Sequence, residues 1–261
     1  MILTRHELRQ GVKPLIIWTM SIAAFMMTCI FLYPEMKDEM GGLGEMFSSM
    51  GSFSKAFGMD VLSFGTLKGY YAVECGNVLG IGGAMFAALI GISALAKEEG
   101  AHTAEFLFAH PLSRFRAVAE KGLSVLIQLI FLNGIVFALS ALSVKMINET
   151  IVWRDLALLH IAFFLVQVEI AAICLFFSAL LRGGGTGFGL GFALVLYFLN
   201  LIANISDSVE WLKYLTPFSF AEGSEVLTSG KIELRYLIPG MCLTALGILA
   251  AFPVYAKKEL R

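Results

Sequence analysis

Gln167 and Glu169 are the residues that first ask for chemistry, because both stand inside FFLVQVEIAAICLFF, an otherwise apolar run. A carboxylate at the centre of a membrane-spanning helix costs about 2.5–3.5 kcal/mol on insertion scales, so it faces protein or water rather than lipid. Two functional readings follow for the pair: contacts on a substrate path, or, for Glu169, a proton site. The structural alternative is an interhelical hydrogen bond with Glu169 protonated. His160 precedes them in the same run and is expected at its outer end, where it would reach water. Gln128, Asn133, Asn200 and Asn204 are neutral and read as glue between helices.

The other chemical motifs point away from self-sufficient catalysis. His6, His102, His110 and His160 form no HExxH pattern, and no GxSxG occurs. The glycine-rich stretch RGGGTGFGLG lacks the lysine of a phosphate-binding loop and follows no strand. A turn followed by close helix packing accounts for it better, with Gly183, Gly187 and Gly191 expected on one helical face. Gly76, Gly80, Ala84 and Ala88 repeat that spacing, as do Gly83, Ala87 and Gly91. The cysteines, Cys29, Cys75, Cys174 and Cys242, are far apart and read as small apolar residues. The expectation is therefore no catalytic, cofactor-binding or metal-ligating residue in this chain.

Composition says what must position these groups. Hydrophobic residues make up 58% of 261 positions and charged residues 15%, where a soluble domain carries roughly 25% charged. Lipid must act as solvent for much of this surface. A net charge of −1 gives nucleic acid nothing to bind. Six apolar runs approach the roughly 20 residues that cross a bilayer core: about 15–33, 74–96, 123–147, 156–181, 186–205 and 236–256. Backbone groups in hydrocarbon must bond internally, so an all-α membrane protein with six transmembrane helices is predicted, in a single domain over 1–261. Pro14 and Pro34 bracket the first run and suit its start and stop. The polar stretch before it is too long for a typical signal peptide, and the run is taken as a retained span.

Eleven of the nineteen Lys and Arg residues fall in segments that share a side with the N-terminus, which puts both termini in the cytoplasm. Two outer segments are long: Pro34 to Val73 is rich in Met and Phe, and Ser206 to Arg235 is aromatic and apolar between charges. Both are expected to form short extracellular helices dipping into the headgroup layer.

The charged stretch Lys97 to Lys121, KEEGAHTAEFLFAHPLSRFRAVAEK, joins the second and third runs. Glu98, Glu99 and Glu105 cluster toward its start, which suits a helix N-terminus, and Gly100 permits a bend. Thr103, Phe106, Leu107 and His110 recur at helical spacing, Pro111 stops the helix, and Ser113 is placed to cap the next. A short helix across the membrane face results, with Phe106 and Leu107 available for docking.

The string EEGAHTAEFLFAHPLSR resembles the segment after the second span in ABC transporter permeases of the type-2 exporter superfamily. The matching positions are Glu98, Glu99, Gly100, Thr103, Glu105, Phe106, Leu107, Pro111, Ser113 and Arg114. YLTPFSF, before the last span, and the amphipathic HELRQGVK, expected as a helix ahead of the first, are similar to that family too. The resemblance implies a permease subunit in an inner (plasma) membrane, paired with a second permease chain and bound to a cytoplasmic ATPase that carries ATP and Mg. It implies that the segment at about 97–116 couples to that ATPase, through Glu98, Glu99, Gly100, Thr103, Glu105, Phe106, Leu107, Pro111 and Arg114. A stand-alone proton- or ion-coupled carrier centred on Glu169 is the alternative.

Overall fold

The computed structural model describes residues 2–49, 51–57, 59, 65–103 and 112–258, with the side chains of all of these except 38–49, 52, 53 and 207. No strand occurs among them, and six helices are long and apolar enough to cross a membrane. In chain order the helices are α1 (Ile2–Ser49), α2 (Ser52–Ala56), α3 (Leu67–Gly100), α4 (Arg114–Met146), α5 (Trp153–Leu180), α6 (Thr186–Ile205), α7 (Gly223–Ser229) and α8 (Leu234–Lys257). The predicted all-α membrane architecture is thus observed. The residues Glu105, Phe106, Leu107, His110 and Pro111 of the connecting stretch lie outside the described residues.

The first helix departs from expectation. Instead of a separate amphipathic piece followed by a span, α1 runs unbroken through Pro14 and Pro34. Each proline removes one backbone donor. A helix in apolar surroundings tolerates that loss, because unwinding would expose further unbonded groups to hydrocarbon. The second span also begins earlier than Glu74. Thr66 caps it by accepting a hydrogen bond from Gly69 N at 3.2 Å, and residues Tyr71–Cys75 form a single π turn inside it.

Two helices make the centre. About two thirds of the apolar window of α3 and of α5 is buried inside the protein, against 17% for α8. The contact between α3 and α5 is a ladder of small residues. A Cβ on Gly80 would meet the Phe163 ring at 2.9 Å, and one on Gly83 would run into the Gln167 amide. One on Gly91 would sit 2.6 Å from Ala171 O. The second-span stripe predicted from sequence therefore does what close helix packing requires.

The glycine-rich stretch makes the predicted turn but not the predicted packing face. Gly183, Gly184 and Gly185 all take positive φ and make the turn itself, so α6 starts only at Thr186. Gly187 and Gly191 then face open space, while Gly189 meets α3, its Cβ position 2.9 Å from Ile92 Cγ2. The turn sets the helical phase and rotates the expected stripe away from the protein.

On the far side, two 3₁₀ turns, Asp207–Tyr214 and Pro217–Ala221, and α7 fill the second outer segment. They are short helices, as expected, yet only part of this segment faces outward. Trp211 and Tyr214 are exposed, whereas Phe218 and Phe220 are buried in the bundle. Thr216 fixes the turn by donating to Leu196 O at 2.9 Å, and Ser219 donates to Asn200 Oδ1 at 3.0 Å.

Gly91→Leu should force α3 and α5 apart, an overpacking cost of about 1–3 kcal/mol. In detergent this is expected as a fall of about 3–10 °C in the thermal midpoint. Gly191→Leu should leave the midpoint unchanged or slightly raised, since it adds helix propensity where nothing is in the way.

Candidate functional site

The sequence places the decisive charges around the end of α3, and the structure shows how they are spent. Helix α3 closes in a Schellman motif: Thr103 N donates to Glu98 O at 2.8 Å and His102 N to Glu99 O at 3.1 Å. His102 occupies the left-handed position at φ 54°, where glycine is the usual choice and histidine is one of the tolerated alternatives. Glu98 and Glu99 therefore sit in the last turn of a helix, not the first turn of a new one as predicted. At that end the helix dipole disfavours carboxylates, so each needs a cation.

Each has one. Lys121 of α4, with no exposed surface, donates to Glu98 Oε1 and, at 2.7 Å, to Ala94 O. Its Nζ also lies 3.2 Å from Glu7 Oε1 on α1. Glu7 in turn pairs with Lys97, which donates to Gln10 Oε1 at 2.9 Å. Glu99 lies 3.0 Å from Lys258 just beyond α8, and Lys258 donates onward to Leu181 O at the end of α5. Gly100 packs against the turn between α5 and α6, its Cβ position 3.3 Å from Gly183 Cα.

Two more charges close the ring. The Arg114 guanidinium donates to the last carbonyls of α8, Ala256 O at 3.1 Å, Tyr255 O at 3.3 Å and Lys258 O. A cation over those otherwise orphaned acceptors is stabilising. Glu120 does the complementary job at the start of α1. Its Oε2 accepts from Leu3 N at 2.9 Å and Thr4 N at 3.2 Å, while its Oε1 accepts from Arg116 at 2.7 Å. Thr4 Oγ1 returns a bond to Glu120 O at 3.1 Å. Ser113 caps α4 as predicted, accepting from Arg116 N at 3.2 Å. The charged end is thus a frame that ties one end of every spanning helix but α6 to another, and α6 enters it through the turn at Gly183.

Of the residues predicted to couple, Glu98, Glu99, Gly100, Thr103 and Arg114 come together here. Glu7, Glu120, Lys121 and Lys258 were missed as site residues. Lys121 carried a readable signal: it is in helical phase with Val125, Gln128 and Leu132, all buried.

The interior polar residues sort into two kinds. Gln167 is fully buried and exchanges amide hydrogen bonds with Asn133, at 2.6 Å and 3.4 Å. That pair joins α4 to α5 beneath Gly83. Glu169, also buried, lies two residues away against Gly240 of α8, and its Oε2 has no hydrogen-bond partner among the described residues. His160 does not reach water as predicted. It is buried, with its Nε2 2.8 Å from the Tyr71 hydroxyl at the π turn, and Phe137 meets it edge-on.

A sequence model described as ABC-2 family transporter protein matches residues 1–256, and the chain belongs to that family. No curated protein matches it.

Breaking a buried ion pair from one side strands its partner, at a cost of about 3–5 kcal/mol. Lys121→Met should lower the thermal midpoint in detergent by on the order of 10 °C. Adding Glu98→Gln and Glu7→Gln to that variant should recover most of the loss, because no charge is then left buried alone. Unequal carboxylate singles would show which of the two partners dominates.

Proposed function

We propose that this ABC-2 family permease is the membrane-spanning half of an ATP-driven exporter, and that its charged end receives force from a separate ATPase subunit. The observation that carries the reading is the frame. Five helix ends are fixed to one another by buried or half-buried charges, and the turn at Gly183 packs against them through Gly100. A push on the connection at 104–111 reaches the spanning helices as a group rather than one at a time. In this reading Phe106 and Leu107 supply the apolar grip, with Glu105 and Pro111 shaping the segment. Glu98, Glu99, Gly100, Thr103 and Arg114 pass the displacement on to the frame. ATP and Mg belong to the partner, and a second permease chain, identical or paralogous, completes the path. The surplus of Lys and Arg on the frame side supports an orientation with both termini in the cytoplasm of a cell bounded by this inner (plasma) membrane.

One observation favours a second reading. Glu169 is a carboxylate enclosed in the membrane part of the bundle without a hydrogen-bond partner among the described residues, which is the usual situation of a proton-carrying group. Under that reading the chain would move cargo alone, driven by a proton gradient.

Coexpression with a candidate ATPase subunit distinguishes the two. Phe106→Glu and Leu107→Glu should each abolish copurification of the ATPase while leaving the permease's thermal midpoint in place. A cysteine at His102, in a Cys242→Ser background, should react with a membrane-impermeant maleimide only in inside-out vesicles. Cargo movement by the purified chain alone, lost on Glu169→Gln, would transfer the function to the proton-coupled reading.

A further inference from the structure

Below the frame, α4, α5 and α8 part to leave a groove of about 360 Å³ whose lining side chains are all apolar. Helix α8 closes onto α5 at Gly247, whose Cβ position lies 3.0 Å from Ala172 O. It stands off from α4, so that a Cβ on Gly122 would touch only Leu175, at 3.6 Å. On α4 the lining runs from Val118 to Leu129. Eleven helical rises make that roughly 17 Å, close to the depth of one leaflet in a hydrocarbon core of roughly 30 Å. The groove therefore has the length of one acyl chain.

Its mouth at the frame end carries charge. Phe115 and Phe252 stack there, with ring centroids 5.9 Å apart and planes 19° from parallel. Arg116 follows on the same helical face as Ala119, Leu123 and Leu126 of the groove. Its side chain is 55% exposed. Only its Nε is bonded to Glu120, and its terminal nitrogens have no partner among the described residues. Glu120 takes the Nε edge through its Oε1 and two α1 amides through its Oε2, which leaves the terminal N–H groups of Arg116 for a second anion. An apolar slot one leaflet deep beneath an outward guanidinium has the chemistry of an acidic phospholipid.

We propose that this groove is a binding site for one resident phospholipid with an anionic headgroup, an acyl chain lying along α4 and the phosphate held by Arg116. The occupant is a lipid of the surrounding leaflet and not cargo. The proposal rests on the membrane-spanning fold and is independent of any ATPase, so a failure of the coupling reading leaves it untouched.

The test is native mass spectrometry of the full-length chain in detergent, with phosphatidylglycerol or phosphatidylcholine added at matched ratios. Wild type should retain phosphatidylglycerol about fivefold better, the effect of one basic residue at the membrane surface. Arg116→Gln should abolish that preference, and Arg116→Lys should keep it. Ala119→Phe, which fills the groove from an exposed position, should lower retention of both lipids. Equal retention of the two lipids by wild type overturns the site, as does a preference that survives Arg116→Gln. Undiminished binding by an Ala119→Phe variant with the wild-type thermal midpoint removes the acyl slot.

Discussion

Everything at the charged end depends on one ammonium group that water does not reach. Lys121 has no exposed surface, and an isolated charge in that position would cost several kcal/mol even after relaxation. It is tolerable only while Glu98 of α3, Glu7 of α1 and the Ala94 carbonyl surround it. The penalty for leaving any of these partners makes the arrangement close to all-or-none. Three helices that a bilayer would let slide past one another, since lipid tails offer no hydrophobic gain for helix association, are held in register by electrostatics instead. The pairs of Arg114 and Lys258 with the end of α8 and with Glu99 extend the same constraint to the last span.

The membrane interior uses a different device to the same end. Along α3 and α5 the backbones approach through Gly80, Gly83 and Gly91, and a buried amide pair between Gln167 and Asn133 fixes α4 against α5. Such packing is dense and strongly distance-dependent, so it resists gradual deformation. With α3 as member of both the glycine ladder and the charged frame, α3, α4 and α5 form a block. Helices α1, α6 and α8 surround it with a smaller share of their apolar windows buried. Any change of shape that keeps the block intact must move those outer helices, or move whole subunits as rigid bodies.

How much of this was legible in the residues depends on the kind of signal. Six spans, the Ser113 cap and the small-residue stripe of α3 follow from hydropathy, spacing and local hydrogen-bonding chemistry, and all three appear. The failures have several causes, among them partners far away in the chain. Pro14 and Pro34 read as helix ends because local rules price the lost donor against water, whereas here the surroundings are apolar. Glu98 and Glu99 read as the start of a helix because Lys121 and Lys258, which make them acceptable at its end, lie more than twenty residues on. The glycines of α6 were misphased because three consecutive positive-φ residues consume the start of the run as a turn. Glu120 gave no sign in the sequence that it caps α1, which begins more than a hundred residues earlier.

The connection between α3 and α4 makes mechanical sense only in light of how it is anchored. On one side the Schellman motif fixes the direction in which the chain leaves α3, with His102 locked in a left-handed conformation and Thr103 bonded back to Glu98. On the other, Ser113 fixes the direction in which the chain enters α4, and the very next residue, Arg114, is clamped on the carbonyls of α8. Under the proposed coupling, attachments that could swivel would dissipate a push as local rotation. Here both attachments are held by hydrogen bonds that also belong to the frame. Glu98 supplies the carbonyl for the exit cap and the carboxylate for Lys121. Arg116 supplies the amide for the α4 cap and the guanidinium for Glu120. The same two residues thus serve as end-caps of the connection and as members of the frame, so displacement of one cannot occur without strain on the other.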